Sequence, residues 1–255
     1  MSRLMIVEPM RIAAVGASRG SGAPNLATHD PKEAWIDAAS GSAATITVDL
    51  GAARAIDTIA LLHVRPPAAG ATWSIDAGVG AADAPVLGAA TLRVPDVAGE
   101  FETVSHALWT GAPRTARYVA LTVTQPAGAP PLSAGALVIG RAFVAELGQE
   151  WGAGRQPIDT GTATALPSGG FSIVEGVRKS LFSWTFGDLS VAETEQLETI
   201  ALHLGETAPG LVVEDADATP GLRRRIHYGL FKKWRAYERR NRRQTRWEIG
   251  IEQWV

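Results

Sequence analysis

From residue 45 to residue 50 apolar and polar positions alternate, with Ile46, Val48 and Leu50 set against Thr45, Thr47 and Asp49. A period of two belongs to a strand with one buried face. Gly51 reads as the end of that strand, and a second apolar run, 56–64, follows a short Ala/Arg break. The same reading predicts strands over 5–15, 72–78, 101–108, 118–124 and 136–139. Turn signals divide them at Pro66-Pro67 with Gly70, Pro85 with Gly88, Pro95 with Gly99, Gly111 with Pro113, and 126–131. Seven or eight short strands at this spacing predict a sandwich.

After Gly140 the pattern changes. Residues 151–170 are rich in Gly, Thr and Pro and read as an extended arm, the kind of segment that usually contacts a neighbour. Residues 180–186 alternate again, Leu181, Ser183 and Thr185 against Phe182, Trp184 and Phe186. One helix is predicted over 191–204. Ser190 is its N-cap, Glu193 completes a capping box, and Leu197, Ile200, Ala201 and Leu204 make an apolar stripe that Gly205 stops. A buried strand at 211–213 precedes a closing hairpin, 228–237 and 244–254, with its turn near Asn241. The expected fold is all-β: a sandwich over 1–140 and a second over 141–255 that carries the helix. Residues 1–11 fit either one.

The order Asp30-x4-Trp35, Ile46-Thr47-Val48-Asp49-Leu50-Gly51, Ile56-Asp57-Thr58-Ile59 and Arg117-Tyr118-Val119-Ala120-Leu121-Thr122-Val123 resembles the discoidin, or coagulation-factor type C, jelly-roll family. That resemblance implies a β-sandwich that presents loops to glycans, lipids or proteins. It implies a binding module in place of a catalyst. Such modules often hold a structural Ca²⁺ in a loop, for which Asn25, Asp30 and Asp37 are the residues at hand, but no dense acidic motif supports it and no cofactor is expected.

The second half has its own resemblance. Ile139-Gly140-Arg141-Ala142-Phe143, the Ser168-Gly169-Gly170 turn, Ser183-Trp184-Thr185-Phe186-Gly187-Asp188-Leu189-Ser190, His227-Tyr228-Gly229 and the terminal Trp247-Glu248-Ile249-Gly250-Ile251-Glu252-Gln253-Trp254 look like distal-tail and minor tail-tip proteins of long-tailed bacteriophages. These build rings at the end of the tail tube from a small sandwich plus one helix. The resemblance implies identical subunits in a ring, a trimer or a hexamer, meeting tube, hub and tape-measure proteins, with a host surface glycan as a further partner. It places the protein in a virion tail tip or baseplate. The runner-up reading is a free-standing carbohydrate-binding protein.

Composition fits these expectations. Apolar residues make up 46% of the 255 positions and charged residues 20%, a globular balance. There is no cysteine, so neither disulfides nor thiolate metal sites exist. Residues 1–11 lack the pattern of a secretion signal, and no apolar run approaches the roughly 20 residues that span a bilayer, so synthesis in a host cytoplasm without membrane insertion is expected. Residues 222–246 hold 11 Lys/Arg against Glu238, a local +10 in a chain whose net charge is −2. Nucleic acid is one partner for such a block. Contact with an acidic surface of an adjacent subunit is the favoured one, because the chain's surplus acids lie elsewhere.

Among eight tryptophans, Trp109 at a strand end beside Thr110-Gly111 is the best candidate for a sugar-stacking platform, and Trp35 is the second. Trp151, Arg155, Arg235, Arg239, Arg242, Arg243 and Trp254 are the candidate subunit-interface residues. No catalytic residue is predicted. The five histidines (His29, His63, His106, His203 and His227) show no ligand spacing. Asp83 with Asp96, or Glu100 with Glu102, has nothing to place it across a cleft. Ser168-Gly169-Gly170 lacks the context of a nucleophile elbow.

Overall fold

The computed structural model describes residues 3–65, 68, 70–92, 105–216, 225–232 and 234–254. Asp96, Glu100, Glu102, Arg223, Arg224, Lys233 and the start of the strand expected at 101–108 lie outside them. The chain is all-β, with one α-helix among the described residues. It forms two compact units, 1–144 with 210–227, and 145–209 with 228–255.

The first unit holds β1 (Met5–Val7), β2 (Ala14–Ala17), β3 (Trp35–Ile36), β4 (Ala43–Val64), β5 (Thr72–Gly78), β6 (Ala84–Thr91), β7 (Ser105–Thr124), β8 (Ser133–Ala134), β9 (Ala136–Gly140) and β10 (Ala142–Val144). The main sheet runs β2-β4-β7-β5-β6, with β9 also on β4. The two runs expected as separate strands, 45–50 and 56–64, are one strand. Gly51 does not end it: its φ of +77° lets the chain bulge while its N–H bonds back to Asp49 Oδ1 at 2.7 Å, and pairing with β7 resumes at Arg54. Gly111 and Pro113 likewise sit inside β7, where the register slips between Thr110 and Arg114 and a missing N–H is tolerated. Residues 5–15, expected as one strand, form β1 and β2 with a gap between.

Ile46, Val48 and Leu50 from the first half of β4 and Ile59 and Leu61 from the second enter one apolar cluster. Trp35, Trp73, Ile75, Trp109, Val119, Leu121, Val123 and Ile139 complete it. Each aliphatic or aromatic side chain buried this way contributes about 1.5–3 kcal/mol. In the same unit β1 lies between β10 and β15 (Pro209–Val213), antiparallel to both.

The second unit contains β11 (Gly154–Asp159), β12 (Thr162–Ala165), β13 (Phe171–Val174), β14 (Arg178–Leu189), α1 (Val191–Leu204), most of β16 (Ile226–Phe231), β17 (Glu238–Arg239) and β18 (Thr245–Gln253). Its sheet runs β16-β18-β14-β11, and β17 adds to β18. Trp247, Ile249 and Ile251 are buried while Glu248 and Glu252 are half-exposed, as the period-two pattern requires. Phe182 stacks on Trp184, and Trp234 packs between Phe231 and Trp247. The helix spans the expected residues. Ser190 and Glu193 form a reciprocal capping box, and Thr194, Leu197, Ile200 and Leu204 are buried. Trp234 Nε1 donates to the Gly205 carbonyl at 2.9 Å, holding the helix end.

Candidate binding sites

On the first unit, the outward face of the main sheet carries small side chains around one charged pair. Register aligns Ala14, Asp49, Tyr118 and Gly78 in a row across β2, β4, β7 and β5. Gly16 and Thr47 form the next row beside it. The β5–β6 turn brings Gly80, Ala81 and Ala82 over this surface, leaving a groove of about 380 Å³. At its edge Arg117 donates from Nε and Nη2 to the two oxygens of Asp49, at 2.8 and 2.9 Å, and its guanidinium lies 4.8 Å from the centre of the Tyr118 ring. The bonds from Arg117, and then the Gly51 N–H, hold the Asp49 carboxyl down at about 2. A carboxylate with that value is a poor base at neutral pH. What the groove offers is an apolar floor, one aromatic edge and a planar charged fork, which suits binding.

On the second unit, every residue from 151 to 178 is exposed except Ile158 and Gly161, which are half-buried. The expected extended arm over 151–170 is part of a β-ribbon. β11 pairs with β14 from Gly154↔Ser183 to Asp159↔Arg178, and β12 pairs with β13 from Thr162↔Val174 to Ala165↔Phe171. Between them Gly161 and Gly176 meet so closely that a Cβ on Gly176 would stand 2.0 Å from the Gly161 nitrogen. Directly paired residues share a face. Ala163, Ala165, Phe171 and Ile173 therefore form an apolar face, and Thr162, Thr164 and Ser172 a polar one joined by Val174. Phe171 is 67% and Ile173 69% exposed.

The aromatic platforms expected from the sequence are core residues. Trp109 is 9% exposed and its ring lies against Gly111, where a Cβ would approach it within 2.6 Å. Trp35 is 1% exposed, with Nε1 donating to the Arg19 carbonyl. Neither presents a face for stacking, because inward register outweighs proximity to a turn. The loop acids are likewise engaged: Asp37 is gripped by Arg19, and Asp30 Oδ1 accepts the Lys32 N–H. Among the described residues no group of three or more His, Asp or Glu is arranged to hold a metal ion.

The interface candidates fall on the second unit's surface. Trp151 is 97% exposed. Arg155, on β11, sets its guanidinium 5.5 Å from the Phe182 ring. Arg235 pairs with Glu248 at 2.8 Å, Trp254 donates its backbone N–H to Tyr228, and Arg239, Arg242 and Arg243 are exposed. The basic block meets acids of its own unit: Arg240 reaches Glu150 and Asp188, and Arg246 reaches Glu150. The groove around Asp49, Arg117 and Tyr118 was not anticipated. Its only trace in the sequence is the alternation that turns Asp49 and Tyr118 outward, opposite Val48 and Val119. Among the described residues no helix is long and apolar enough to cross a membrane.

No protein-family model matches the chain, and no curated protein matches it. Among solved structures, it is similar to a chitosan-binding module of a chitosanase/glucanase from Paenibacillus sp. IK-5, at 18% identity over 52% of this chain and 98% of that one, with a TM-score of 0.39. It is similar to the CBM32 of AlyQ in complex with 4,5-unsaturated mannuronic acid, at 22% identity over 52% and 97%, TM-score 0.40. A family 32 carbohydrate-binding module from C. perfringens NanJ in complex with galactose matches at 17% identity over 53% and 98%, TM-score 0.38.

Proposed function

We propose that this protein is a non-catalytic structural component of a phage or phage-derived tail tip, which associates with copies of itself in a ring and carries its first unit as a glycan- or protein-binding domain. The ribbon over 151–178 supports this reading. Its apolar face is open to solvent among the described residues, and a lone two-stranded ribbon is marginal in water. The occupant is a second copy. Residues 160–174 carry no charge, so identical ribbons approach without repulsion, and the second unit also exposes Leu147 and Trp151 as apolar contacts. The resemblance of the 139–143, 183–190 and 247–254 motifs to distal-tail proteins supports a ring as the arrangement of those copies.

Light scattering on the purified chain, compared with a Phe171→Asp/Ile173→Asp variant, tests it. A closed oligomer that the variant reduces to monomers is the expected result. A monomeric wild type at high concentration, or a variant that assembles equally well, overturns it.

The groove beside Asp49 favours a second reading, a free-standing carbohydrate-binding protein. Saturable glycan binding by a monomer, lost in Arg117→Ala, would favour it over assembly.

A further inference from the structure

The three histidines His63, His106 and His227 are far apart in sequence, yet the first unit buries all three, with the rings of His63 and His106 in contact and His227 near enough to act on a charge at His106. Between Leu61↔Ala107 and Val64↔Ser105, β4 has one residue more than β7, and His63 takes a left-handed φ of 54° in the resulting bulge. A non-glycine residue there is strained and persists only where its surroundings hold it. The bulge turns the His63 N–H onto Nδ1 of His106, 3.1 Å away, with the two rings edge to face at 5.0 Å. His227, also buried, sits 2.6 Å from Glu214 through Nε2.

We propose that this cluster is an acid-sensitive latch, closing the far end of the β4–β7 ladder at neutral pH and opening it in mild acid. The hydrogen bond that closes the bulge needs a lone pair on His106 Nδ1, and a proton there turns acceptor into donor. The charged or titratable groups near enough to act on His106 are His63 on β4, which touches it, Arg65 just after β4 and His227 on β16; Glu214, just after β15, meets His227. Burial holds His106 well below the ordinary histidine value, and His63, His227 and Arg65 add repulsion. Burial, then Arg65, lowers His63 to about 4. The closed form thus binds fewer protons than the open form. Closure is full above about pH 6.5 and is lost as the pH falls from there toward 4.

Hydrogen exchange of the His63 amide, corrected for the intrinsic rate, reads the latch directly. From pH 7 to pH 5 its protection should fall roughly twentyfold for each histidine that takes up a proton on opening. His106→Asn keeps an acceptor at the Nδ1 position but cannot titrate. It should stay protected at pH 7 and lose one histidine's share of the pH dependence. Flat protection in the wild type, or an unchanged slope in His106→Asn, overturns the proposal. Should that variant fail to fold, the wild-type imidazole ¹⁵N shifts decide: an unprotonated Nδ1 on His106 in the folded protein at pH 5.5 supports the latch, and a protonated ring refutes it.

Discussion

Arg19 holds Asp37 with two parallel bonds, Nε to Oδ1 at 2.7 Å and Nη2 to Oδ2 at 2.8 Å. Arg19 Nη2 also donates to the carbonyls of Ala39 and Ser42, so one guanidinium ties the 37–42 turn to the loop after β2. The Asp37 side chain is 2% exposed. Removing the cation leaves a buried carboxylate without compensation, and Arg19→Ala should cost about 3 kcal/mol in urea denaturation. Replacing the pair together, as Arg19→Met with Asp37→Leu, should recover most of that loss. Because both Asp37 oxygens are taken, calcium or a chelator should leave the midpoint where it is. A calcium-dependent shift would show that a cation competes for this carboxylate.

The helix cap gives a second, smaller effect. Ser190 Oγ accepts the Glu193 N–H, and Glu193 Oε2 accepts the Ser190 N–H at 2.7 Å. Ser190→Ala should destabilise the second unit by about 1 kcal/mol. Burial pushes the Glu193 carboxyl up, but bonds from the Ser190 side chain and from the Glu146 and Ser190 N–H groups outweigh it and hold the carboxyl below its usual value. The folded carboxyl is depressed, so its contribution is present above the ordinary glutamate value and fades as the pH falls below it. A thermal-melt series from pH 6 to pH 3 should show Glu193→Gln less acid-sensitive than the wild type.

The junction between the two ladders of the ribbon depends on two residues having no side chain. Thr160 N–H and Val177 C=O bond at 3.1 Å across it, with Gly161 and Gly176 packed between. Gly176→Val has no room at that site and should splay the ribbon. Limited proteolysis would detect new cleavage between residues 159 and 178, while the melting temperature moves by little, since the ribbon is exposed. Cleavage at the wild-type rate would show that the backbone absorbs the change.

Local patterns carried much of this architecture. The helix with its cap, the inward row Trp247, Ile249 and Ile251, and β5 were legible because each is fixed by neighbours within a few residues. The long strands were not, since Gly51 and Pro113 look like terminators until a partner strand supplies the pairing that carries the chain past them. Trp109 illustrates the same limit. Its inward face is set by the β4–β7 register, and Gly111 makes room for the ring. The three histidines belong to different strands, so no spacing along the chain could announce them.

Asp49 offers the sharpest measurement in the groove. Two donors keep its carboxyl at about 2, first the Arg117 side chain and then the Gly51 N–H. Arg117→Ala removes the larger cause and leaves the smaller. The Asp49 carboxyl should therefore climb most of the way to 3.8 without reaching it, read from its ¹³C shift against pH. Gly51→Ala keeps the backbone N–H but strains a backbone that needs φ of +77°, so it should raise the carboxyl only as far as that strain pulls the donor off Asp49, and by less than Arg117→Ala. The sign for stability follows. A depressed carboxyl favours the folded form above its unfolded value, and that contribution disappears between about pH 4 and pH 2. Arg117→Ala should flatten the acid limb of the first unit's unfolding curve over that interval. An Asp49 titration unmoved by the loss of Arg117 would mean that the fork does not persist in solution, and the groove would then lose its only oriented polar edge.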